Sequence, residues 1–133
     1  MHRPLGSPLR WAAIVLLLVT AGTHLPLVPM HLEEAPYIGV LFIALSLVSL
    51  ALAGLLVRWD SPAVWALTGV VTALAVVAFL WSRTLGLPQI GDDIGNWSEP
   101  LGFPALAAEA LAAAVAAVAL LHHLGNVHRK GTS

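Results

Sequence analysis

The sequence predicts an all-α fold: a bundle of four antiparallel transmembrane helices, both termini cytoplasmic, with a lid-like outer loop between helices three and four. Three observations lead there. The 133 residues are 59% hydrophobic and only 10% charged, with a mean hydropathy of +0.88, far from the balance of a soluble domain. The stretches from Arg10 to Glu33, Glu34 to Arg58 and Asp60 to Arg83 enclose 22, 23 and 22 residues without Asp, Glu, Lys or Arg, each enough for the roughly 20 residues of helix that cross a hydrocarbon core. A fourth apolar run, 103–124, carries one acid, Glu109. The expected helices are about 11–29, 37–57, 62–83 and 103–124, one integral membrane domain with no room for a soluble one.

Charge sets the orientation. Arg3, Arg10, Arg58, Arg129 and Lys130 fall on one side of the four crossings, leaving Arg83 alone on the other with Glu33, Glu34, Asp92, Asp93 and Glu99. The positive-inside rule makes the first side cytoplasmic and predicts a multi-pass protein of the plasma membrane. A cleaved signal peptide ending near Val19-Thr20-Ala21 is the alternative for the first run, but apolar character continues to Val28, beyond a usual signal core.

Helix one begins at Trp11, an interfacial anchor, and is punctuated at its outer end by Pro26 and Pro29, each of which removes a backbone donor. Residues 23–37 pack two histidines, two acids and three prolines between two apolar runs. Such a polar knot is either a solvated turn or half of a site. Helix two carries Ser46, Ser49, Ala53 and Gly54, small residues that let membrane helices approach closely. Helix three opens on Pro62, with Thr68 and Thr72 on one face. Trp59, Trp65, Trp81 and Trp97 fall at predicted boundaries, as an aromatic belt requires. The second outer loop, about 20 residues from Arg83 with four glycines and two prolines, is long for a compact protein, and loops of that length are usually functional or disordered. Its Leu87, Ile90, Ile94 and Trp97 predict a fold-back onto the helix ends, with a short turn around 92–97. Helix four is alanine-dense, and Gly125 is its expected stop.

The candidate site is built from ionisable groups at the outer end. An acid inside a membrane helix costs about 2.5–3.5 kcal/mol and faces a partner or a polar cavity. Glu109 lies about five residues below the outer end of helix four and His24 about five below that of helix one, so both sit roughly 7 Å deep at 1.5 Å per residue and can meet. His31 and Glu34 have the i, i+3 spacing that places two side chains on one helical face. The expected metal ligands are therefore His24, His31, Glu34 and Glu109, supported by Arg83, Asp92, Asp93 and Glu99. Imidazole with carboxylate suits copper, zinc or iron, and inward Glu and His are a known way to build a metal centre in a bundle. The spacings match no zinc signature. Without cysteine there are no disulfides, thiolate sites, iron–sulfur clusters or cysteine nucleophile. Haem is disfavoured, because His122 and His123 lie at the opposite end from His24 and cannot share its iron.

The histidine closing helix one, H-L-E-E-A-P-Y-I-G-V-L-F from His31, S-R-T-L-G-L-P from Ser82 and W-S-E-P-L-G from Trp97 with Glu109 after it resemble a group of small four-helix actinobacterial membrane proteins of no established activity. The resemblance implies that His24, His31, Glu34, Arg83 and Glu109 form one outward site, and it supplies no substrate. The expected function is binding of a transition metal for handling, sensing or redox chemistry. The alternatives are an accessory subunit of a larger membrane complex and an ion- or proton-coupled transporter working as an oligomer. The expected partners are the lipid bilayer and a membrane-complex subunit or second copy, with no nucleic acid. No nucleophile–base arrangement nominates an enzyme.

Overall fold

A computed structural model describes residues 7–97 and 99–131, with side chains from Leu9 to Trp97 and Glu99 to Gly125. Arg3, Arg129 and Lys130, on which the orientation partly rests, lie outside the described side chains. The described residues are helical with no strand: α1 (Ser7–His24), a 3-10 turn (Leu25–Leu27), α2 (Val28–Glu34), α3 (Pro36–Arg58), α4 (Pro62–Thr84), a second 3-10 turn (Gly91–Asp93) and α5 (Gly102–Gly131). Four stretches are long and apolar enough to cross a membrane, Leu9–Glu34, Pro36–Arg58, Pro62–Thr84 and Gly102–Gly125, as a multi-pass membrane protein requires.

The four spans form a ring in which α1 packs on α3 and α5, and α5 also packs on α4, while α3 and α4 touch each other least. One stripe of each helix faces the middle. On α1 it is Ala13, Leu17, Thr20 and His24; on α5 it is Ala105, Ala108, Glu109, Ala112, Ala116 and Ala119, at the three- and four-residue steps that put side chains on one helical face. The alanines let α5 come close to its neighbours: a Cβ on Gly69 of α4 would touch the Ala116 methyl at 3.4 Å. Leu18, Leu41, Leu47, Val70, Leu74, Val77, Leu111 and Leu121 point outwards. An apolar exterior around an interior that includes Thr20, Ser46, Ser49, Thr68, Thr72 and Glu109 is stable where the surrounding solvent is lipid.

The polar knot is not an irregular loop. Pro26 and Pro29 open two new short helices, where a missing N–H costs nothing because the first turn has no carbonyl to give it. The chain therefore continues as the 3-10 turn and α2, then reverses through the single extended residue Ala35 (φ −148°, ψ 92°), a conformation favoured before a proline. Pro36 begins α3. This reversal lays α2 on the first turn of α3, with Gly39 beneath Leu32. A Cβ on Gly39 would lie 2.5 Å from Leu32 Cδ2 and 2.8 Å from the Leu32 backbone nitrogen.

At the opposite end α3 and α4 are joined by three residues. Ser61 Oγ accepts a hydrogen bond from the Val64 amide at 3.3 Å and caps α4, a usual role for serine. The Trp65 indole donates to Asp60 Oδ1 at 2.5 Å. Trp65 is wholly buried in the main apolar cluster with Leu17, Leu52, Leu56, Ala116 and Ala119, so it is a core residue and not the boundary anchor expected of it. Gly125 does not stop the last helix, which runs on to Gly131. A glycine inside a helix costs only about 1 kcal/mol relative to alanine.

The long loop starts where Leu85 and Gly86 both donate to the Trp81 carbonyl, with Gly86 at φ +90°, the left-handed close of a helix that glycine adopts without strain. It then folds back. Ile90 is buried with Ala35 and Ile38, packed against Leu87 and Phe42, and the Tyr37 hydroxyl donates to the Pro88 carbonyl at 2.6 Å. The short turn falls at Gly91–Asp93, a little before the expected place.

Gly39→Ala is expected to lower stability by about 1–3 kcal/mol, the usual cost of overpacking, because the new methyl meets backbone as well as side chain. Thermal unfolding in mild detergent measures it, and an unchanged midpoint would mean that α2 does not lie on α3. Tyr37→Phe removes one hydrogen bond worth about 1 kcal/mol from the loop alone. Faster amide hydrogen exchange at residues 86–97, with the four spans unaffected, is the expected result.

Candidate functional site

The site lies at the loop end of the bundle. His24 closes α1, and Glu109 lies seven residues into α5, roughly 10 Å from its start at 1.5 Å per residue. The two meet: His24 Nε2 is 3.3 Å from Glu109 Oε1. Both side chains are buried, Glu109 to 1% exposure and His24 to 8%. The acid of the last span and the imidazole of the first thus converge as their depths predict.

The other ring nitrogen fixes what this contact can be. His24 Nδ1 donates to the Thr20 carbonyl at 2.8 Å, one turn back, where only an N–H can face the oxygen. A neutral His24 therefore carries its lone pair on Nε2, towards Glu109. An ionised carboxylate there would set acceptor against acceptor. A proton shared by the two groups, as imidazolium with carboxylate or as imidazole with carboxylic acid, would satisfy both and leave the pair without net charge. Glu109 Oε1 has no well-formed hydrogen bond, so nothing else within reach offers it a proton.

Phe42 of α3 lies between the two histidines. Its ring meets His24 edge-to-face at 4.8 Å and 85°, and His31 at 4.6 Å and 40°. His31 is buried at α2, and its Nδ1 donates to the Leu27 carbonyl at 2.8 Å, the same one-turn anchor that His24 uses. Phe42 also packs against the cluster of Ala35, Ile38 and Ile90, so residues of the long loop and the ring that meets both imidazoles share one apolar cluster.

The remaining expected residues divide into separate groups. Arg83, buried at the end of α4, pairs with Asp93 Oδ2 at 3.2 Å, donates to Ser82 Oγ at 3.0 Å and lies 4.5 Å above the Phe79 ring. The Gly95 amide donates to its carbonyl at 2.7 Å, so Arg83 ties the loop to α4. Glu99 Oε1 accepts from the Leu101 amide at 3.2 Å and its carbonyl from Gly102 at 3.0 Å, which caps α5. Glu34 and Asp92 are exposed. Among the described residues no three His, Asp or Glu side chains come together as metal ligands would. The set His24, His31, Glu34 and Glu109 thus reduces to one close pair, with His31 across Phe42 and Glu34 turned outwards.

Sequence reasoning did not single out Phe42, the Thr20 carbonyl or the Tyr37–Pro88 bond. Phe42 reads as one more apolar residue of a hydrophobic run, and a carbonyl acceptor has no side-chain signal. No protein family, no curated protein and no solved structure matches this chain.

Proposed function

We propose that this is a small multi-pass membrane protein that responds to protons, with the His24–Glu109 pair as the group that takes up and releases one proton from the extracytoplasmic side. The single observation that carries the reading is the 3.3 Å contact between Nε2 and Oε1 with Nδ1 already committed to Thr20. Buried ionisable groups inside membrane spans are expensive to keep and mark proton or ligand sites more often than structural ones. The sidedness follows from the charges: Arg58 and Arg10 belong to the end away from the pair, the end that the positive-inside rule makes cytoplasmic. Between that end and the pair lies the apolar cluster around Leu17, Leu52, Leu56 and Trp65, which closes the cytoplasmic route within one chain.

In this reading the long loop is the lid of the site. Its Ile90 is buried with Ala35 and Ile38 in the cluster against which Phe42 packs, and Phe42 contacts both imidazoles. A change of charge on His24 alters how its ring meets the Phe42 edge, and the loop receives that change through packing. The protein then acts as a proton-responsive element that reports to whatever the loop or the lipid-facing helices contact.

Glu109→Gln tests this, because the amide keeps the shape and can donate to Nε2 while removing the shared proton. Infrared difference spectra of the protein in lipid nanodiscs, taken from about pH 4 to about pH 8 to span ordinary glutamate and histidine titration, are expected to show a carboxyl band in the wild type that vanishes in Glu109→Gln. A wild type with no pH-dependent band lost in the variant would overturn the proposal.

A second reading keeps a transition metal. It is favoured by one observation: both His24 and His31 hold Nδ1 against a carbonyl one turn back, the arrangement that fixes the tautomer of ligating histidines and presents Nε2. Imidazole nitrogens suit copper and zinc. Stoichiometric metal in detergent-purified protein, lost in the His24→Ala/His31→Ala double variant, is the outcome that supports it; no stoichiometric metal in either protein counts against it.

A further inference from the structure

The bundle end away from the His24–Glu109 pair holds its cations without acid partners. Arg10, half-buried near the start of α1, lies over the Trp11 ring at 5.4 Å, and Arg58, exposed at the end of α3, over the Trp59 ring at 5.0 Å. Neither forms an ion pair among the described residues, whereas Arg83 at the other end is answered by Asp93 at 3.2 Å. Asp60, two residues beyond Arg58, is already engaged: its Oδ1 accepts from the Trp65 indole and its Oδ2 is enclosed. Two cations at this end are thus left open to whatever surrounds the protein.

Their depth says what that is. Trp11 and Trp59 are 53% and 51% exposed, and tryptophans exposed at the ends of membrane spans settle at headgroup level. Each guanidinium rests on such a ring, so its charge is held at the depth of the lipid phosphates. Stacking occupies the flat face of the guanidinium and leaves the N–H donors of its edge, which match a phosphate bidentately. The two Arg–Trp pairs also stand together. α1 packs on α3, and Leu9, Leu55 and Leu56 join one apolar cluster, which puts Arg10 and Arg58, within three residues of them, at one level on neighbouring helices.

We propose that this end of α1 and α3 binds the headgroups of anionic phospholipids, with Arg10 and Arg58 donating to phosphate oxygens and Trp11 and Trp59 packing against the glycerol and upper acyl chains. The net charge of the lipid decides the preference. A zwitterionic headgroup brings its own ammonium group beside the guanidinium, and an anionic one does not. At the loop end Glu33, Glu34 and Asp92 are exposed and Arg83 is occupied, so that end repels the same lipid. The positive-inside rule places Arg10 and Arg58 in the cytoplasmic leaflet, whose anionic surface attracts basic groups beside membrane spans. The lipid site is independent of the proton reading, since its residues touch neither His24 nor Glu109.

Native mass spectrometry of the full chain, released from detergent with equal amounts of phosphatidylglycerol and phosphatidylcholine, tests this. The wild type is expected to retain phosphatidylglycerol in preference. Arg10→Gln and Arg58→Gln are each expected to lower that preference about fivefold, the factor that about 1 kcal/mol per arginine near an anionic surface corresponds to, and the double variant about 25-fold if the two act independently. Equal retention of the two lipids by the wild type, or a preference unchanged in the double variant, would overturn the proposal. Should the double variant fail to fold, the two single variants decide by the same criterion. Inorganic phosphate is the second arm: if it raises the thermal midpoint of the detergent-solubilised protein as much as phosphatidylglycerol does, the site is one for soluble phosphate and the lipid proposal fails.

Discussion

A carboxyl group inside a membrane span has to be answered by a proton or by a cation, and the loop end of this bundle is arranged around that requirement. Water cannot supply the answer at lipid depth, so the partner must come from the protein. Glu109 finds it in the last residue of α1, 3.3 Å away. His24 can serve because its ring is held: the Thr20 carbonyl fixes Nδ1, and Phe42 sets its edge. Since α5 meets α1 through a stripe of alanines, the two backbones come close enough for a short acid and a ring to meet. Larger residues on that stripe would leave both groups buried apart, and breaking a buried pair by removing one partner is costly, about 3–5 kcal/mol.

The same requirement gives the polar knot its shape. If α1 simply ended at Pro26, His24 would lie at a frayed terminus open to solvent. Instead the prolines start a 3-10 turn and α2, and Ala35 turns the chain so that α2 rests on Gly39 of α3. This lid of helix brings His31 to the far side of Phe42 and shields the end of α1. The loop after α4 completes the cover through Ile90 and Tyr37, held at its other end by Arg83 and Asp93. The prolines, read singly as breakers, together form the device that keeps a helix end dry.

How much of this was legible in the sequence follows from what counting residues can and cannot tell. Depth in a membrane helix is a matter of number: the charge-free runs placed the four spans, and equal depth placed His24 and Glu109 at one level. Azimuth is not. His31 and Glu34 share the i, i+3 spacing, yet His31 is buried and Glu34 exposed, Glu34 being the last residue of a seven-residue helix, just before the chain reverses at Ala35. Charge alone groups Glu99 with the site, but its hydrogen bonds go to the start of α5. A glycine marks a stop at solvated helix ends, whereas α5 is continuous through Gly125. Trp65 has the sequence position of an interfacial anchor but is a core residue, because the three-residue turn before α4 puts the Asp60 acceptor within reach of its indole.

The distribution of polar groups along the bundle also bears on whether one chain could move a proton from side to side. A relay needs groups that both give and accept, and an indole N–H only gives. In the half of the bundle away from the pair, the buried polar side chains include that indole, committed to Asp60, and Thr68, whose hydroxyl donates to its own helix, within a layer of leucine, valine and alanine. In the half near the pair lie Thr20, Ser46 and Ser49 with the imidazole and the acid. Among the described residues the buried ionisable side chains, His24, His31, Arg83 and Glu109, thus lie at one end of the bundle. That placement suits a group that equilibrates with one compartment and is insulated from the other, and such insulation is what lets the charge state of a buried pair follow conditions on a single side.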